Sequence, residues 1–378
     1  MDGTMSAMRL RQWMEYVGFR FAVCLLQMLS ARQTARIAEG LGWLFVEVIP
    51  KKLTRYHVAY ENIERAFSTP VDDETSADTD DLHQKSEISN LKPQIRSDLK
   101  SASSFHSQPS TLNHRPSTLT PDQIHKMIRK MWVHLFRMVA EMVQLPRVMT
   151  LANCRDLTVF RNREMFAQAF CSGRPAILLS GHFGNWEVSM KMFGLFGMRM
   201  GIVGRAIDNP YINRWFEKSR EATGHRLIDK NGAAPEMVEL MEAGGYLGLL
   251  CDQDAGGKGM FVDYFGHPAS TFKSIALMAM EYKALIIVGY GFRSPDDFAN
   301  SRWSRFELGC EEVIDPLTIE ADDEIREITQ RFTSALERAV RRAPEQYFWV
   351  HRRWKSEPRS VVRKRLKEQA AKELQKAG

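Results

Sequence analysis

The run Pro175-Ala-Ile-Leu-Leu-Ser-Gly-His-Phe-Gly-Asn-Trp-Glu187 decides how this chain is read. Its first half is a short, unbroken apolar segment bounded by proline and glycine, the pattern of a strand buried on both faces. Its second half turns polar before helical spacing begins, so the strand ends near Gly181 and His182 stands where the next helix starts. Ligands of open parallel sheets bind at such strand ends. A histidine there titrates near neutrality and can accept a hydroxyl proton, while a carboxylate beside it fixes the tautomer and stabilises the imidazolium. Glu187 is the nearest acid. Positions five apart on a regular helix do not share a face, so the two meet only if His182 lies in the loop before the helix, a bend that Gly181 and Gly184 permit.

Outward from this run the chain alternates strand and helix. Apolar segments at 176–180, 202–203, 246–251 and 285–290 are separated by helical patterns at 188–196, 212–223, 235–243 and 272–283. Such alternation predicts an α/β fold with a mainly parallel central sheet covered by helices. Upstream, Thr120-Pro-Asp opens a strong helix in which Met127, Met131, Leu135, Met138, Val139 and Met142 recur at helical spacing, a core stripe. Residues 322–342 form another amphipathic helix. No internal repeat and no G-x-S-x-G elbow occurs, which argues against a serine hydrolase.

The organisation expected is N-terminal helices over 1–69 associated with a membrane, a polar insertion over 70–120, an α/β domain over 121–358 completed by the N-terminal helices, and a basic C-terminal helix over 359–378. The insertion is rich in serine, threonine and aspartate, and its only aromatic is Phe105, too little apolar surface to offset the entropy of ordering. The stretch 17–29 is apolar but carries Arg20 and falls short of the ~20 uninterrupted apolar residues of a spanning helix. A helix packed on the domain and one lying in the membrane interface both fit it, with a single pass not excluded. Trp13, Tyr16, Phe19, Trp43 and Phe45 favour the interface. The formal charge of +6 gathers toward the chain ends beside apolar residues, which suits an anionic membrane surface rather than a nucleic acid. The 5 cysteines are scattered, with no C-x-x-C pair and no zinc spacing, so no metal site is expected and the thiols read as reduced, on the cytoplasmic side.

Five ordered blocks resemble the lipid A biosynthesis acyltransferases, the lauroyl and myristoyl transferases of the wider lysophospholipid acyltransferase superfamily with its His-x4-acid motif. They are the Gly181-His-x-Gly-Asn-Trp-Glu187 segment, Gly204-Arg-Ala-Ile-Asp-Asn-Pro210, Asp252-Gln-Asp254, Gly259-Met-Phe-Val-Asp-Tyr-Phe-Gly-His-Pro-Ala269 and Pro344-Glu-Gln-Tyr-Phe-Trp-Val-His-Arg-Arg-Trp354. The resemblance covers nearly the whole chain outside the insertion.

It implies an acyl-carrier-protein thioester, or acyl-CoA, as donor and a hydroxyl of a membrane glycolipid, first of all a lipid A precursor, as acceptor, with no cofactor. The enzyme would sit at the cytoplasmic face of the inner membrane, peripheral or monotopic. His182 would be the general base. Asp252 or Asp254 would orient it in place of, or together with, Glu187. Backbone N–H groups of Gly184 and Asn185 would meet the oxyanion, and Arg205 and Asn209 would grip a phosphate or headgroup. The His351-Arg-Arg-Trp354 cluster would bind carrier-protein acids or lipid phosphates, and the structural alternatives are turn capping for Asp252 and Asp254, a salt bridge for Arg205 and a charged surface for 351–354. Two other functions remain in view: acylation of another glycolipid or lysophospholipid, and a catalytically silent membrane-binding scaffold.

Overall fold

The computed structural model describes residues 2–68 and 118–358. The expected insertion, apart from its last residues, and the C-terminal helix 359–378 lie outside them. The described residues on either side of 67–118 belong to one compact unit. In chain order it runs α1 (Asp2–Met28), α2 (Ala31–Trp43), α3 (Tyr56–Phe67), α4 (Pro121–Val148), α5 (Cys154–Leu157), β1 (Thr158–Arg161), α6 (Arg163–Phe170), β2 (Ala176–Ser180), α7 (Trp186–Leu195), β3 (Met200–Gly204), α8 (Pro210–Glu221), β4 (Arg226–Asp229), α9 (Ala234–Glu242), β5 (Tyr246–Leu250), β6 (Met260–Tyr264), β7 (His267–Thr271), α10 (Ser274–Glu281), β8 (Leu285–Arg293), β9 (Phe306–Ile314) and α11 (Glu324–Arg342).

The main sheet has the order β1-β9-β8-β2-β5-β3-β4 and is parallel except where β9 runs against β8. The α/β fold expected from the alternation is present. β2 sits between β8 and β5, and its Ala176, Ile177, Leu178 and Leu179 are buried, which is why that strand reads as an unbroken apolar run. Ser180 of β2 lies opposite Leu250 of β5.

Helix α4 starts where the sequence places it. Thr120 and Gln123 form a reciprocal capping box and Pro121 fills the first turn, where its missing N–H costs nothing. Met131, Leu135 and Met138 of the stripe are buried and Met127 and Met142 partly so, while Val139 is exposed, so the stripe is core through its middle.

Helix α1 docks one face on α4 and α8. Phe19 meets Trp215 edge-on at 5.2 Å, and Gln144 donates to the Leu26 and Leu29 carbonyls at 2.7 and 3.0 Å. Its other face carries Leu10, Met14, Val17, Phe21, Leu25 and Met28 at helical spacing, with exposures from 45% for Val17 to 80% for Met28. That is a continuous apolar stripe turned away from the protein. Among the described residues no helix is long and apolar enough to cross a membrane.

Candidate active site

The β2–β5 register builds the site. With Ser180 opposite Leu250 and the Cys251 N–H donating to the Ser180 carbonyl at 3.0 Å, the residues two steps further on, His182 and Asp252, leave the sheet side by side. Asp252 accepts twice, from the His182 backbone N–H and from Nδ1, each at 2.8 Å. Because a carboxylate only accepts, Nδ1 carries the proton and the Nε2 lone pair faces outward. The His182 side chain is 21% exposed and that of Asp252 4%, so solvent and ligands reach the imidazole and not its partner.

Burial disfavours the imidazolium, yet the attraction and hydrogen bond of Asp252 outweigh it and raise the His182 pKa above the ordinary value. Burial likewise pushes against the Asp252 carboxylate, but His182 and the two hydrogen bonds hold its pKa down. The neighbouring Cys251 thiol is driven up by burial and by Asp252, so it offers no thiolate. Trp186 stands edge-on to the His182 ring at 5.4 Å, His351 lies at 5.9 Å and Phe348 at 6.2 Å. The Gln253 amide nitrogen is 3.5 Å from Nε2, a weak contact that a hydroxyl can displace.

The loop that carries His182 is clamped at its backbone. The His182 carbonyl accepts from Phe348 N–H at 3.0 Å, and Gly184 N–H donates to Gln346 at 2.9 Å. Gly184 has φ +59°, and a Cβ there would lie 1.9 Å from the Gly291 carbonyl oxygen, so only glycine fits.

Several expectations are corrected. Glu187 is on the first turn of α7 and its carboxylate is held by Arg220 at 2.5 Å, so it ties α7 to α8, and Asp252 is the acid bonded to His182. The Gly184 and Asn185 N–H groups donate to the Gln346 and Gly291 carbonyls at 2.9 and 2.7 Å. Asn209 caps α8 by accepting from Tyr211 and Ile212, and its amide donates to the Gln12 carbonyl and to Glu15, so it anchors α1 and has no donor left for a headgroup. Asp254 accepts from Gly256 N–H and from the N–H and hydroxyl of Ser356, a turn-capping role. Arg205 remains at the surface, loosely paired with Asp208 at 3.1 Å.

The Pro344–Trp354 block also reaches the site. His351, far along the chain, comes beside His182, while Arg353 of the same block is buried and holds the Ser270 carbonyl and the Thr271 hydroxyl. A basic cleft of about 800 Å³ is lined by Lys126, Arg129, Lys130 and Arg137 among others, but not by His182 or Asp252.

The structure is thus a mainly parallel α/β protein with a histidine–aspartate pair at a strand end. The chain belongs to the bacterial lipid A biosynthesis acyltransferase family, whose model matches residues 119–356. It is 25% identical over 191 residues to the lipid A biosynthesis lauroyltransferase of Escherichia coli strain K12, covering 50% of this chain and 58% of that protein. It is 26% identical over 195 residues to a lipid A biosynthesis acyltransferase of Haemophilus influenzae, covering 50% and 57%. The chain thus spans less than two thirds of the length of these relatives. The crystal structure of the 1-acyl-sn-glycerophosphate acyltransferase PlsC from Thermotoga maritima is similar with a TM-score of 0.32 at 14% identity, over 56% of this chain and 87% of that one, too loose to bear on the site.

The pair makes a prediction that needs no substrate. In an NMR titration of the histidine rings, the His182 midpoint lies above 6.5 in the intact protein and falls below 6.5 in Asp252→Ala, where only the lowering effect of burial remains. Equal midpoints in the two proteins would contradict the assigned pairing.

Proposed function

We propose that the protein transfers a fatty acyl group from an acyl-carrier-protein or acyl-CoA thioester to a hydroxyl of a lipid A precursor, at the cytoplasmic face of the inner membrane. The observation that carries this reading is the buried Asp252 holding Nδ1 of a half-buried His182, with Nε2 open to a ligand. Membership of the lipid A acyltransferase family supports the substrate class. In this mechanism Nε2 takes the proton of the acceptor hydroxyl as its oxygen attacks the thioester carbonyl. The tetrahedral intermediate then collapses, the C–S bond breaks, and the imidazolium returns the proton to the departing sulfur as thiol. Asp252 stabilises the charged ring between those two steps. Arg205, exposed beside α8, is available to a phosphate on the acceptor.

The apolar stripe of α1 supports seating at a lipid surface. A helix of 27 residues that buries one face on α4 and α8 and exposes Leu10, Phe21 and Met28 on the other suits the headgroup–acyl boundary, with Arg9, Arg11 and Arg20 toward the phosphates.

His182→Ala is expected to fold normally and to lose acyl transfer by at least ~100-fold, the contribution of a general base, with substrate affinity little changed. Near-normal turnover in folded His182→Ala would eliminate the mechanism. Replacing Phe21 and Leu25 with Asp in the full chain is expected to weaken sedimentation with anionic phospholipid vesicles by ~10-fold or more, since burying each such side chain contributes ~1.5–3 kcal/mol. Unchanged binding would show that α1 is not the lipid-facing surface.

A further inference from the structure

Beneath the His182 loop lies a buried polar cluster that takes no part in the proposed proton transfer. Glu141 and His134 come from α4 and Arg293 from the end of β8, with exposures of 6%, 3% and 8%. Arg293 grips Glu141 with two hydrogen bonds, Nε to Oε1 at 2.5 Å and Nη2 to Oε2 at 2.7 Å. The second carboxylate oxygen also accepts from the Asn185 side-chain amide at 3.0 Å. His134 stands between Arg293 and the loop: Nδ1 is 3.0 Å from Arg293 Nη1, and Nε2 is 3.0 Å from the Gly184 carbonyl. A guanidinium only donates and a carbonyl only accepts, so the ring is neutral with its proton on Nε2. Burial, with Arg293 and Arg137 adding to it, holds the His134 pKa well below the ordinary range and keeps that state fixed.

Buried ion pairs contribute little net stability compared with apolar packing, and one use of keeping them is to specify geometry. Here the bonds converge on Gly184 and Asn185, in the loop that carries His182. The Gly184 carbonyl is taken by His134 and its N–H by the Gln346 carbonyl, while Gln346 is bonded through its side chain to both backbone groups of Arg293. Asn185 is held by Glu141 through its side chain and by Gly291 through its N–H. The peptide that follows Gly184 has no freedom left, and His182, two residues earlier, takes its direction from that loop. A base displaced by about 1 Å can lose on the order of 100-fold in rate.

We propose that His134, oriented by Arg293, is a positioning residue for His182, acting through its hydrogen bond to the Gly184 carbonyl. The inference rests on the reading of His182 as the general base. It assigns to α4 a part in catalysis without contact with substrate.

Two near-isosteric substitutions separate the two sides of the ring. In His134→Asn the amide oxygen can stand near the place of Nδ1 and accept from Arg293, but nothing donates to Gly184. In His134→Gln the amide nitrogen reaches the place of Nε2 and restores that donor. In transfer assays with an acyl-carrier-protein thioester and a lipid A precursor, His134→Asn is expected to lower kcat by at least ~10-fold with KM within about twofold, and His134→Gln to recover most of the loss. The NMR midpoint of His182 should fall in His134→Asn and return in His134→Gln, because a loosened loop weakens the Asp252 bond. Thermal unfolding establishes that each variant is folded. If His134→Asn is not, Arg293→Lys, whose single ammonium nitrogen lacks the fork of three nitrogens that serves Glu141 and His134, is expected to give the same split of kcat from KM. Equal activity in the Asn and Gln variants, whether high or low, overturns the proposal. His182→Ala in the same assay separates the two claims: activity retained there removes the general base, and the NMR midpoints still decide whether His134 positions the ring.

Discussion

Two parallel strands in fixed register deliver their following residues to the same place, and the site depends on that. Ser180 opposite Leu250 on neighbouring strands puts His182 and Asp252 one hydrogen bond apart, although 70 positions separate them in the chain. A slip of one residue would turn every side chain of a strand to the other face and part the pair. The register is held by the apolar run of β2, buried between β5 and β8, where any shift would expose part of the core. The hydrophobic effect thus sets the electrostatics: strand packing decides which carboxylate faces the imidazole, and that carboxylate decides the tautomer and the direction of the pKa shift.

Around this pair the structure restrains the backbone on each side of the loop. The 344–348 segment pairs with 182–184 in an antiparallel bridge centred on Phe183 and Tyr347. Gly291 on β8 takes the Asn185 N–H, and the close approach of that carbonyl is the reason residue 184 has no side chain. From below, the α4 cluster of His134 and Glu141 with Arg293 completes the support. Helix α4 also receives α1, so the helix that braces the His182 loop also anchors the helix that carries the exposed apolar stripe.

Much of the fold was legible because period and punctuation agreed. The β2 bounds and the start of α4 follow from an apolar run and from Thr120-Pro-Asp ahead of helical spacing. The missing parts have local causes. β9 alternates buried and exposed residues only through Cys310, because a bulge opposite Val288 and Gly289 breaks the pattern, and its glutamates resemble a surface segment. The β6–β7 hairpin turns at Phe265 and Gly266, both with positive φ, and phenylalanine is not a residue that announces such a turn. Of the bonded pair, His182 was legible and Asp252 was not. Chain proximity favoured Glu187, and only the resemblance drew attention to the Asp252 block. Neither spacing nor composition shows that Glu187 faces Arg220, that Asn209 spends its amide on α1, or that Gly184 and Asn185 have given away their N–H groups.

The central claim is that Asp252, and not Glu187, is the acid that orients His182. The most direct measurement is kcat for acyl transfer by purified Asp252→Ala and Glu187→Ala, assayed side by side with their thermal unfolding. The geometry predicts that Asp252→Ala stays folded and falls toward the level of protein without the His182 side chain. It predicts that Glu187→Ala, which loses its bond to Arg220, is less stable but keeps far more of its turnover. A folded Asp252→Ala that turns over normally, with Glu187→Ala inactive, would contradict it.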